Sequence, residues 1–271
     1  MKAIETLHLF EDLNQELIYF LAELKQHEWQ LHSPMSGQNV KDMASLLLFG
    51  TLQKISILRD QYYNPDFSAQ ILQSEYEAQT RSREIAWLVA SANLSPRLLL
   101  ELIKKYEHEL FELYNRLKQD ETSASPLSSA ETEPMPNWKN IAFDYAQKWQ
   151  LQMQMRMASQ KQLLLSERFL TPLYETLMLK LLSKLDKCKL VADEYLLDIE
   201  ITGEVRMCKR LQQIDLKWSF ADITAQKPDS QLRIQASVAW KLFLNEPQGS
   251  KLQPDEIEFQ GNKTLIMCLL E

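Results

Sequence analysis

The side chains of this sequence best suited to chemistry are its histidines, cysteines and paired acids, and their spacing limits what they can do. The histidines are His8, His27, His32 and His108. No two stand three or four residues apart on one helix, the spacing that would aim two imidazoles at one metal. An imidazole without partners makes no site, so each reads as a solvated or capping side chain. Cys188, Cys208 and Cys268 are odd in number, widely spaced and outside any CxxC pair. That usage predicts reduced, structural thiols in a cytoplasm rather than a disulfide framework. Glu75 with Glu77, and Glu107 with Glu109, read as helix surface. No Gly-rich phosphate loop, GxSxG or HExxH is present.

The run WQLQMQMRMASQ at 149–160 poses a sharper question. Its Gln/Met alternation suggests a strand, yet neither residue favours strands and the flanks read as helix. It is either a bundle helix with Met as adaptable filler or a catalytic helix that has lost its catalytic side chains. Metal-independent catalysis by Arg156 with Asp144 or Tyr145 is a third reading, although those residues serve equally well in packing and surface pairing.

The elements that would position these residues are mostly helices. Only 5 of 271 residues are glycine, and 45% are apolar, enough for a substantial core. Net charge is −7 with acids and bases interspersed, which argues against nucleic acid or anionic membrane as partner. Glu5, Glu11, Asp12 and Glu16 interrupt the first twenty residues, which therefore lack a secretory apolar core; no later run reaches membrane length.

Ile4, Leu7, Phe10, Leu13, Leu17, Leu21 and Leu24 recur at helical spacing. Asn39 is placed to cap a second helix, with Asp42 in its first turn. A third helix is expected over 75–92, a fourth after Ser95 and Pro96, a fifth from Asn137, and a sixth from Thr171 and Pro172 to about Leu185. The Ser/Pro/acid-rich stretch 120–136 predicts a flexible loop. Beyond Lys189 the periodicity alternates. Strands are expected through Leu197, Ile199 and Ile201, through Ile214, Leu216, Trp218 and Phe220, over 231–236 and over 256–260, with helices over 237–245 and 263–271. The expected class is α+β: an up-and-down helical bundle over 1–187, then a small α+β domain with an antiparallel sheet over 188–271.

Several stretches together resemble one family. VKDMASLLLFG at 40–50, with SILRD at 56–60, resembles a segment of the form VKDxAxHLL followed by RD. LSPRLLLELI at 94–103 resembles the start of that family's third helix, and 137–158 resembles a segment in which ERWHHQQQIR is typical. ITGEV at 201–205, VAWKLF at 238–243 and FQGNKTL at 259–265 resemble its C-terminal domain. The family is the mycothiol-dependent maleylpyruvate isomerases, within the DinB-like bundle superfamily, and the likeness runs from about Trp29 onward.

The resemblance implies a divalent metal, commonly zinc, and a low-molecular-weight thiol as cofactors. The metal is held by a His on the second helix and an acid and a His one turn apart on a later one, leaving an open coordination position. Carried over, the three ligands fall on Leu46, Gln147 and Leu151, and the neighbouring His on Gln150. Leucine cannot bind zinc and an amide binds it poorly. The expectation is a metal-free relative with no cofactor, serving to bind an unknown small molecule or protein; the alternative is the thiol-dependent isomerase or transferase of the family. Gln150, Gln154 and Arg156 are the neighbouring pocket candidates.

Overall fold

The computed structural model describes residues 3–62, 73–122, 135–188, 194–243 and 256–270. The chain divides into two compact units, 1–163 and 164–271.

The first unit is helical. After a 3-10 turn at Leu7–Leu9 come α1 (Phe10–Glu23), α2 (Val40–Asp60), α3 (Gln73–Ser91), α4 (Pro96–Asn115) and α5 (Asn137–Ala158). The expected caps form: the Asn39 side chain accepts from Asp42 N–H at 2.8 Å, and Ser95 Oγ accepts from Leu98 N–H at 3.2 Å with Pro96 opening α4. Each satisfies one of the N–H groups a helix start leaves unpaired. α2 packs against α3, α4 and α5, and α1 against α4 and α5. Leu17, Leu21, Met43, Leu48, Ile103 and Met155 belong to the resulting core; burying each contributes about 2 kcal/mol. α5 is enclosed on nearly all sides, with seventeen of its 22 residues buried.

Most of the expected loop lies outside the described residues, but its flanks are joined. Thr122 and Pro136 form a bridge, and Asn137 N–H donates to the Glu121 carbonyl at 3.0 Å. The side chains of Glu75 and Glu77 also lie outside the described residues.

The second unit comprises α6 (Glu167–Lys187), β1 (Glu194–Thr202), β2 (Met207–Ile214), β3 (Lys217–Ala221), β4 (Ser230–Gln235), α7 (Ala236–Ala239), a 3-10 turn at Trp240–Phe243, β5 (Ile257–Gln260) and α8 (Lys263–Leu270). The class is α+β as expected. α6 belongs with the sheet, however, and not with the preceding helices as the 187/188 boundary implied. Its buried Leu173, Leu177, Leu181 and Leu185 recur every four residues, and it packs on β3 and the Trp240–Phe243 turn. Periodicity identifies such an apolar stripe without naming the surface it meets. α6 also begins four residues before Thr171, leaving Pro172 inside the helix.

The sheet order is β3-β2-β1-β4-β5. β1–β4 is parallel and the other pairs antiparallel, so the sheet is mixed. The strand expected through Ile214, Leu216, Trp218 and Phe220 is instead a hairpin. Asp215 and Leu216 adopt positive φ, 51° and 64°, and turn the chain from β2 to β3; two successive left-handed residues give the turn whose twist suits a two-residue hairpin. Ile214 and Leu216 are consequently exposed, and only Trp218 of the four is fully buried. Asp198, between the apolar Leu197 and Ile199 on β1, is also buried, beside Arg210 on the neighbouring strand.

The cysteine expectation is corrected too. Cys188 and Cys268 form a disulfide, their Cα atoms 6.0 Å apart, and Cys208 is an exposed free thiol. Eighty residues separate the bridged pair in sequence, so spacing gave no hint of the contact.

Candidate functional site

The most concentrated chemistry lies inside the helical unit, where three helices each contribute polar side chains to one cluster. α2 supplies Thr51 and Lys54, α4 supplies Glu107 and Tyr114, and α5 supplies Asp144 and Lys148, one turn apart. Lys54 Nζ lies 2.8 Å from Asp144 Oδ1. Lys148 Nζ lies 2.5 Å from Glu107 Oε2 and 3.3 Å from Asp144 Oδ2. Tyr114 donates its hydroxyl proton to Asp144 Oδ2 at 3.0 Å, and the Thr51 hydroxyl donates to Glu107 Oε1. The Phe10 ring closes one side, its centroid 5.3 Å from Lys148 Nζ. Glu107 is thus a core residue, 1% exposed, and the surface expected for the Glu107/Glu109 pair is corrected.

Two ammonium groups face two carboxylates, which suits a low-dielectric interior better than any odd count of charges. Burial on its own would raise the carboxyl pKa of Asp144, but the charges of Lys148 and Lys54 outweigh it and hold the value below the usual carboxylate range. Burial would likewise neutralise Lys148, yet Asp144 and Glu107 raise its pKa above the ordinary lysine value. Burial, and then the Asp144 charge, push the Tyr114 hydroxyl well up. Lys148 is thereby disfavoured as a neutral nucleophile and Asp144 as a proton donor at neutral pH. The cluster is built to hold charge rather than to transfer it.

The positions taken from the family resemblance lie elsewhere. Leu46 and Leu151 are half-buried, and Leu151 packs against the core; Gln147 is exposed. Gln147 and Leu151, one turn apart, lie on the least covered side of α5, so the positions aligned with the family ligands do not line a closed interior. Two hydrocarbon side chains and one amide do not fit a zinc ion. Among the described residues no group of three or more His, Cys, Asp and Glu side chains is arranged to hold a metal. All four histidines are exposed.

The alternating run is helical throughout. Gln152 Nε2 donates to the Leu13 carbonyl at 2.8 Å, and Gln154 Oε1 accepts from Ser33 Oγ at 3.3 Å. Arg156 donates to the Gln162 carbonyl at 2.9 Å and to the Glu16 carbonyl at 2.9 Å, while its guanidinium stacks 4.9 Å from the Phe20 centroid. Gln154 and Arg156 therefore tie α5 to α1 and to adjacent loops. Gln150 is 8% exposed, and its Nε2 lacks a partner. Buried Asn140 lacks partners on both side-chain polar atoms. Asp144 and Tyr145 are both buried, Asp144 in the ionic cluster and Tyr145 with its ring 6.0 Å from that of Phe10; Arg156 makes none of its hydrogen bonds to either.

A helical unit followed by an α+β unit with a mixed five-stranded sheet defines the class of fold, and solved structures share it. The crystal structure of the mycothiol-dependent maleylpyruvate isomerase matches with a TM-score of 0.58 and 10% identity, covering 96% of both chains. A point mutant of the same enzyme matches equally well. At this identity the likeness concerns fold alone. No protein-family model matches the sequence, and no curated protein matches it.

Proposed function

We propose that this chain is a divergent, metal-free relative of the maleylpyruvate isomerase and DinB-like proteins that binds a small molecule or a protein instead of catalysing thiol-dependent isomerisation. The observation that carries this reading is the content of the helical unit. Its buried carboxylates are engaged by Lys54 and Lys148, and the positions aligned with family ligands hold Leu46, Gln147 and Leu151. Lewis-acid chemistry requires donors that these side chains do not provide. The shared fold supports the relationship, and the donor set supports the loss of metal.

A cytoplasmic location accompanies the proposal. Exposed Cys208 suits a reducing compartment, where the Cys188–Cys268 bridge would form only transiently. Neither nucleic acid nor membrane is proposed as a partner, given the −7 net charge.

The test is elemental analysis of protein dialysed against a weak chelator, with an isomerase assay supplied with a low-molecular-weight thiol. The expected result is a substoichiometric metal content and no thiol-dependent turnover. About one metal per chain held by these helices, or turnover that requires the thiol, would favour the isomerase or transferase reading. In the variant combining Leu46→His, Gln147→Glu and Leu151→His a two-His, one-carboxylate set should bind zinc, weakened by about 10–100-fold for want of supporting hydrogen bonds.

A further inference from the structure

We propose that the Cys188–Cys268 bridge is a thiol-addressable latch that holds the C-terminal helix α8 on α6, and that thiol–disulfide exchange releases that helix while the sheet stays folded. α8 has eight residues, too few for a helix to persist alone in water. Among the described side chains, three attachments hold it. Leu265 and Leu269, one turn apart, are buried; Lys184 Nζ on α6 donates to the Leu269 carbonyl at 2.8 Å; and Cys268 is bonded to Cys188 at the end of α6. The connection into α8 is a single tight turn at Gly261, φ +118°, followed by Asn262, whose side chain accepts from Thr264 N–H at 2.9 Å. α8 carries no strand of the sheet, so its release breaks none of the ladder pairs. With the bridge opened, the attachments among the described side chains are two buried leucines and the Lys184 hydrogen bond, set against the entropy of fixing the helix backbone.

The bridge is also reachable. Cys188 is 6% exposed, while Cys268 is half-buried and is the more accessible residue of the two. A thiolate of a dithiol reductant attacks Cys268 Sγ, the disulfide bond breaks, and its electron pair leaves on Cys188 Sγ, which takes a proton. The reagent's second thiol then closes on the mixed disulfide, freeing the Cys268 thiol. Two electrons pass to the bridge, and the reagent ends as a cyclic disulfide. In a reducing compartment such a bond is transient, which makes the seating of α8 responsive to the thiol pool.

The test uses the full chain purified without reductant. Alkylation followed by mass spectrometry should modify Cys208 alone, and all three cysteines after dithiothreitol. Hydrogen exchange across 263–270 should then accelerate by about tenfold or more while the amides of β1 keep their protection. A Cys188→Ser/Cys268→Ser variant should exchange like the reduced protein, and Cys208→Ser should retain the bridge and the slow exchange of α8. Alkylation of all three cysteines before reduction overturns the proposal, as does α8 exchange that ignores reduction. Loss of protection in β1 together with α8 also overturns it, because the bridge is then a staple for the whole unit.

Discussion

In the helical unit, Lys54, Glu107, Asp144 and Lys148 meet in one buried cluster drawn from three helices, whereas the buried charge among the described residues of the sheet unit is one pair, Asp198 with Arg210. Arg210 grips both carboxylate oxygens, Nε to Oδ1 at 2.7 Å and Nη2 to Oδ2 at 2.8 Å, and adds a bond to the Thr224 carbonyl at 3.2 Å. The two residues stand opposite each other in the β1–β2 ladder. A register slip of one residue would send one of them to the other face of the sheet. Strand pairing thus places the charges in the sheet, and the bidentate bond rewards correct register. In the helices no ladder aligns Lys54, Glu107 and Asp144; the apolar stripes of α2 and α4 turn these charges inward, where they meet those of α5. Buried ion pairs add little net stability over well-packed apolar residues, but removing one partner is costly. Greater sensitivity is therefore expected where more charges share one interior.

The largest effect is expected at Lys148. Replacing it with Met leaves Glu107 without its ammonium and Asp144 with only Lys54, and should cost about 3–5 kcal/mol in urea unfolding. Combining Lys148→Met with Glu107→Gln should recover part of that loss, since the second change removes the charge the first left unpaired. A double variant as unstable as the sum of its parts would show that the cluster is not coupled. Arg210→Leu should cost less, about 1–3 kcal/mol, because it strands a single carboxylate. If Arg210→Leu is the more damaging, the contrast between the units fails.

Much of the fold was legible because helix caps and apolar periodicity are local signals. Asn39, Ser95 and Pro96 marked helix starts from chemistry a few residues long. The ionic cluster also left a signal, although charge composition concealed it. Leu99, Ile103, Glu107, Leu110 and Tyr114 follow spacings of four, four, three and four, so Glu107 stands on an apolar stripe and not beside one. Lys54 likewise sits within the buried register of Leu47, Thr51 and Ile55 on α2. An acid and a lysine on the buried stripes of two helices are a paired-charge signature that the search for histidines passed over. The Cys188–Cys268 bridge and the packing of α6 on the sheet are long-range, and alternation could not separate a strand from a hairpin whose turn residues, Asp215 and Leu216, include an unfavourable left-handed leucine.

Acid titration sharpens the comparison on a smaller scale. The pKa of Asp144 is lowered on folding, so its contribution is present above the ordinary carboxylate range and lost as pH falls through the lowered value. The stability gap between wild type and Asp144→Asn should be full near pH 7 and should narrow below about pH 4. A gap that persists unchanged to about pH 2 would show that hydrogen bonding, which asparagine keeps in part, and not charge gives Asp144 its role.

The smallest effect is expected at the neighbour of the most sensitive residue. Gln147 and Lys148 are consecutive on α5, yet Lys148 is buried and Gln147 exposed, because successive helical residues point about 100° apart. Gln147→Ala removes an exposed amide, for which no hydrogen bond is seen, and introduces a better helix former, so the change in stability should stay within about 0.5 kcal/mol. Urea unfolding of Gln147→Ala beside Lys148→Met then tests the azimuth of α5 directly. A rotation of the helix by one residue would bury Gln147 and make its replacement costly. It would also turn Gln147 inward toward Glu107, bringing the position aligned with a family metal ligand into the interior that Lys148 now fills.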